Sequence, residues 1–173
     1  MSVQLARVAA EKLIERFEIE IAPIDVDAIA SMLGLGVVTE DLGSEISGLL
    51  VTRDGSASIA VRRSDHPNRR RFTVAHEIGH FVLRHHLQRG ELVHADPHEQ
   101  VIYRSPRASE GLDPIEVQAN QFAASLLMPA KLVRARAAQL SAPLSENDVR
   151  ALATEFRVSE QAMTIRLSAL GLI

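Results

Sequence analysis

The chain has 173 residues, 46% of them hydrophobic, no cysteine, and 19 Lys and Arg against 22 Asp and Glu for a net charge of −3. That length supports one substantial hydrophobic core. The lack of cysteine removes disulfides and thiolate metal sites and leaves His, Asp and Glu as candidate ligands, and the charge balance provides no basic field of the kind that holds phosphate backbones.

Residues 3–18 carry Val3, Leu5, Val8, Ala9, Leu13, Ile14 and Phe17 near the 3.6-residue period, which predicts an amphipathic helix. Arg7, Glu11, Lys12, Glu15 and Arg16 interrupt any signal-peptide core there, and no apolar run reaches membrane-spanning length. A cytoplasmic location without a membrane partner is therefore expected. A short helix is predicted over 24–33, a strand over Leu35–Thr39, and two strands over Ile46–Arg53 and Ala57–Arg62, joined by a turn at Asp54-Gly55. These strands are expected to form a small antiparallel sheet. From Arg71 to about Leu87 the pattern is helical, and 88–112, rich in Gly, Pro, His and charge, reads as a long loop. A strong helix follows from Pro114 to Met128, stopped by Pro129, which can itself open the next helix. Two short helices near 145–156 and 159–169 end the chain, separated by Arg157-Val158.

The segment His76-Glu77-Ile78-Gly79-His80 places two imidazoles four residues apart, on one face of a helix and about one turn from each other, so one metal ion can take a nitrogen from each. Glu77 lies where its carboxylate can reach a water on the metal and act as general base. A catalytic site of this kind needs a third protein ligand and an open fourth position. Glu116 and Asn120 share one face of the later helix: Glu116 can complete the ligand set, and Asn120 can orient a ligating histidine by a hydrogen bond. Asp113-Pro114-Ile115-Glu116 also reads as an N-cap, a first-turn Pro and a capping-box Glu. The small residues Ala119, Ala123 and Ala124 favour the first account, because they let this helix pack closely on the one bearing His76 and His80.

Arg71-Phe72-Thr73-Val74-Ala75-His76-Glu77-Ile78-Gly79-His80-Phe81, followed by Glu116-x-x-Ala119-Asn120-Gln121-Phe122-Ala123-Ala124-x-Leu126-Leu127-Met128-Pro129, resembles the ImmA/IrrE family of metallopeptidases, and the resemblance runs over roughly residues 25–171. It implies an α+β, zincin-like fold with the metal site between two helices. His76, His80 and Glu116 would be the zinc ligands, with Mn²⁺ or another divalent ion as substitutes, and Glu77 the catalytic acid and base. It further implies a peptidase domain over 1–140 with a helical, helix-turn-helix-like extension over 141–173, and a substrate that is a helix-turn-helix (Xre-type) repressor encoded nearby. Some members carry a further sensor domain, which a chain ending at Ile173 is expected to lack.

The oxygen that gains charge when an amide is attacked needs a donor, and Tyr103, His94 and His98 in the long loop are candidates. His85 and His86 read as a solvated helix end, and Arg69, Arg70 and Arg71 as a solvated turn rather than a substrate anchor. The rival reading is a regulatory or toxin–antitoxin partner that binds metal, protein or DNA without turnover. For DNA, the last helix offers only Arg166 as a strongly basic group, so no strong direct binding is expected. Substrate is expected to add as a strand beside Ala57–Arg62. Nothing in the sequence fixes the oligomeric state.

Overall fold

The computed structural model describes residues 2–44, 46–53, 56–85, 93–96, 99–102 and 113–173. The chain opens with helix α1 (Val3–Arg16), capped by Ser2, and buries Ala6, Ala10 and Leu13, spaced by four and three residues along one face. Helix α2 (Val26–Met32) starts at Asp25, whose carboxylate accepts the Ala28 N–H at 3.0 Å. Gly34, at φ +78°, then turns the chain into strand β1 (Leu35–Glu40).

Strands β2 (Gly48–Arg53) and β3 (Ser56–Arg62) pair antiparallel, and β1 lies parallel to β3 with Leu35 opposite Ala57. The sheet is therefore mixed rather than wholly antiparallel. The connection over 41–47 carries the chain past one strand position, so that β3 returns between β1 and β2. With a partner on each side, β3 is central, and its backbone groups are already paired. A substrate strand cannot add beside Ala57–Arg62 as the sequence led one to expect.

Within the expected long loop lie two more strands, β4 (Val93–Asp96) and β5 (Glu99–Ile102), which complete the order β1-β3-β2-β5-β4. Each is only four residues long and mixes apolar with polar residues, and what makes them strands is main-chain pairing of β5 to β2, with Val51 opposite Val101. The turn expected at Asp54-Gly55 lies outside the described residues.

Helix α3 (Pro67–Val82) begins four residues before the expected Arg71, with Pro67 in the first turn and the His66 ring accepting the Asn68 N–H. It packs on β2 and β3 and is crossed by α4 (Pro114–Leu127), against which α1 also lies. Helices α5 (Ala130–Ala137), α6 (Glu146–Phe156) and α7 (Glu160–Ala169) follow. Arg157, at φ 51°, turns α6 into α7, and the Asn68 amide donates to the Val158 carbonyl at 3.1 Å, tying that turn to the start of α3. Phe156, Met163 and Leu167 belong to the same hydrophobic cluster as Ile78 and Phe122, so the last two helices are docked on the main core. No helix among the described residues is long and apolar enough to cross a membrane.

Candidate metal centre

Every residue from Thr73 to His80 is buried, so the polar groups of this stretch of α3 need partners inside the protein. Close approach of α4 supplies them. A Cβ on Gly79 would stand 3.0 Å from Phe122 Cδ1, and Ala119 and Ala123 are fully buried on the facing helix, so small residues at the crossing let the two backbones come together.

The approach brings His76, His80 and Glu116 into one cluster. The His76 and His80 Nε2 atoms are 2.8 Å apart, Glu116 Oε2 is 3.1 Å from His76 Nε2, and Glu116 Oε1 is 3.3 Å from His80 Nε2. Ligands held tetrahedrally at about 2.0–2.1 Å from zinc stand about 3.3 Å from one another, so the three side chains already have nearly the spacing a cation requires. Burial alone would raise the Glu116 pKa, but hydrogen bonding and charge from His76 and His80 outweigh it and hold the carboxyl well below the usual carboxylate range. Two imidazoles and a carboxylate, with no thiolate, suit zinc and its first-row neighbours.

The rival reading of Glu116 as only a helix cap is answered by where its oxygens point. Asp113 caps α4 by accepting the Ile115 N–H at 2.9 Å, with Pro114 in the first turn, while both Glu116 oxygens face the imidazoles. Asn120 Oδ1 lies 2.8 Å from His76 Nδ1. An amide oxygen accepts only from a protonated ring nitrogen, so His76 carries its proton on Nδ1 and turns the Nε2 lone pair toward the cluster.

Glu77 is 4% exposed, and its Oε1 has no hydrogen-bond partner among the described residues. The same atom would lie 3.7 Å from a Cβ placed on Gly48, so the start of β2 runs close beside this carboxylate. A buried carboxylate oxygen without a partner among the described residues, on the residue that follows His76 in α3, is free to hydrogen-bond a water.

Among the other sequence candidates, Tyr103, His98 and His86 lie outside the described residues, and His94 is placed in β4 by its backbone alone. His85 is not part of a solvated helix end: it is 1% exposed, and its Nδ1 lies 3.0 Å from His80 Nδ1. Helix α3 ends at Val82, and the turn that follows uses a left-handed Arg84, φ 55°, to fold His85 back over the last turn. Glycine usually marks such a turn in a sequence, and Arg84 gives no such signal. Nor is the arginine run a turn. Arg69, Arg70 and Arg71 stand in the first turns of α3, where Arg71 donates to the Ile24 carbonyl at 2.8 Å and so ties α3 to the segment before α2.

Arg166 is 6% exposed and donates through Nε to the Met128 carbonyl at 2.9 Å. The one strongly basic group of the final helix thus points into the protein and is not available to a nucleic acid.

Comparison with known proteins agrees with this arrangement. None of the curated proteins matches the chain. A solved structure described as a Mycobacterium tuberculosis transcriptional regulator superposes with a TM-score of 0.62 at 20% identity, over 96% of this chain and 47% of that one. That likeness is one of fold, and the chain spans about half the length of the regulator. The family described as the IrrE N-terminal-like domain, Peptidase_M78, matches residues 30–168, a span that holds α3, α4 and α6 and all of α7 but its last residue, and the chain belongs to that family.

Proposed function

We propose that the protein is a zinc-dependent endopeptidase in which His76, His80 and Glu116 hold the ion and Glu77 moves the proton, and that its substrate is a helix-turn-helix repressor encoded nearby. The observation that carries this reading is the convergence of the two Nε2 atoms and both Glu116 oxygens, and it is supported by the buried Glu77 on the same helix, whose Oε1 has no hydrogen-bond partner among the described residues. An ion held by three protein groups acts as a Lewis acid and lowers the pKa of a water to about 7. Glu77 Oε1 takes the proton of the attacking water and returns it to the amine nitrogen as the peptide bond breaks. Asn120 keeps the His76 ring fixed during this exchange. The chemistry belongs to residues 1–140, and 141–173 form a helical extension packed on them. Burial of Arg166 favours that supporting role for α7 over DNA reading.

The test is to incubate zinc-loaded protein, and its Glu77→Gln variant, with the repressor encoded beside it and to map the products by mass spectrometry. Cleavage within an exposed linker by the first and none by the second is expected. A repressor left whole by protein that has taken up zinc would favour the reading in which the chain binds its partner without turnover.

A further inference from the structure

We propose that His85 is a positioning residue of the metal centre, holding the His80 ring in the orientation and tautomer that aim its Nε2 at the ion, as Asn120 does for His76. The inference rests on the metal-site reading above.

Two separate contacts bind His85 to His80. The backbone N–H of His85 donates to the His80 carbonyl at 3.0 Å, while that of Arg84 donates to the Phe81 carbonyl at 3.1 Å. Together they form the paired hydrogen bonds of a helix end closed by a left-handed residue. This closure places the His85 ring edge-on to His80, with centroids 5.0 Å apart and planes at 75°, and brings the two Nδ1 atoms to 3.0 Å. Such a pair shares a single proton. His80 Nε2 faces His76 Nε2 and Glu116 Oε1, so a ligating His80 keeps its lone pair on Nε2 and its proton on Nδ1. His80 Nδ1–H therefore donates, and His85 Nδ1 accepts. Both imidazoles of the cluster then have an acceptor behind them: an amide oxygen from α4 for His76 and a ring nitrogen from the end of α3 for His80.

The two supports differ in their surroundings. Asn120 is exposed, so water can take its place when it is removed, whereas His85 is 1% exposed and a substitute acceptor has no easy route to His80. Loss of His85 should therefore weaken metal binding at least as much as loss of Asn120.

Zinc affinity measured by competition with a chromophoric chelator, together with the visible absorption of the cobalt(II)-loaded protein, tests this on the full chain. His85→Phe and His85→Leu remove the acceptor with different volumes, and His85→Gln keeps one. Both acceptor-free variants are expected to lose about 10–100-fold in zinc affinity and to shift the cobalt bands. His85→Gln should recover most of the affinity, although the melting temperature of its metal-free form stays near that of the other two. Wild-type affinity and an unchanged cobalt spectrum in His85→Phe or His85→Leu would overturn the inference alone. So would a loss in His85→Gln as large as in the other two, since that loss would come from packing. Wild-type protein that takes up no zinc would overturn the metal-site reading itself, and the inference with it.

Discussion

Two helix pairs in this molecule bury polar side chains, and they do so in opposite ways. Where α3 meets α4, His76, His80 and Glu116 converge, and the buried Glu77 of α3 keeps one carboxylate oxygen without a partner among the described residues. Where α7 docks, Arg166 is spent on the Met128 carbonyl at the end of α4. Burying a polar group costs free energy unless it is hydrogen-bonded. At α7 that cost is offset by a bond that fixes one helix to another, a structural outcome. At the α3–α4 crossing it is offset only in part, and in the function proposed above an ion and its water would supply the remaining partners.

This contrast is most easily broken at Glu77. Glu77→Gln should keep its zinc, because the residue is not a ligand, and should lower turnover by about 10²–10⁴-fold, because an amide does not accept the water's proton. Metal analysis beside a cleavage assay checks both halves, and undiminished turnover would remove Glu77 from the mechanism. Next in size is Glu116→Ala, which deletes a ligand, whereas Asn120→Ala deletes only the acceptor behind His76. The latter should lower zinc affinity by about 10–100-fold and the former by more. A Glu116→Ala protein that binds zinc normally would return Glu116 to the role of a helix-terminal carboxylate.

At the other pair the effect is on stability. Arg166→Met should cost about 1–3 kcal/mol in urea unfolding by leaving the buried Met128 carbonyl without its donor. Zinc binding should not change. Duplex DNA binding, expected to be feeble in the parent protein at physiological salt, should not fall further, since the guanidinium does not face solvent. Salt-sensitive DNA binding that disappears with Arg166→Met would reverse the assignment of the two pairs.

The α3–α4 pair was legible in the sequence because its information is local. A spacing of four residues on a helix fixes which side chains share a face, and this holds for His76 with His80 and for Glu116 with Asn120. Sheet order was not local. That β1 runs parallel to β3 depends on where the chain returns after residue 47, and alternation within a strand says nothing of its neighbour's direction. Strands β4 and β5 escaped because their pairing, not their hydrophobicity, makes them strands. His85 escaped because the residue that folds it back, Arg84, adopts a left-handed conformation without being glycine. Arg166 was read from its type alone, and only the position of the Met128 carbonyl shows which way it points.

The finest test of the comparison is Gly79→Ala. In an exposed helix interior this change stabilises by about 1 kcal/mol, since alanine loses less backbone entropy than glycine. Here the added carbon would meet Phe122 at 3.0 Å from Cδ1, 3.2 Å from Cγ and 3.3 Å from Cβ. Phe122 is wholly buried and sits in the core beside Ile78 and Leu126, so the ring has no solvent to retreat into. Overpacking of this kind costs about 1–3 kcal/mol, enough to cancel the propensity gain and leave a small net destabilisation. The more telling readout is the metal: relief of the clash by moving α3 and α4 apart carries Glu116 away from His80, so zinc affinity should fall along with stability. Ser168→Ala on the exposed face of α7 should change neither. If Gly79→Ala instead raised the unfolding midpoint and left zinc binding intact, the close crossing of α3 and α4 would not be what sets the ligand geometry.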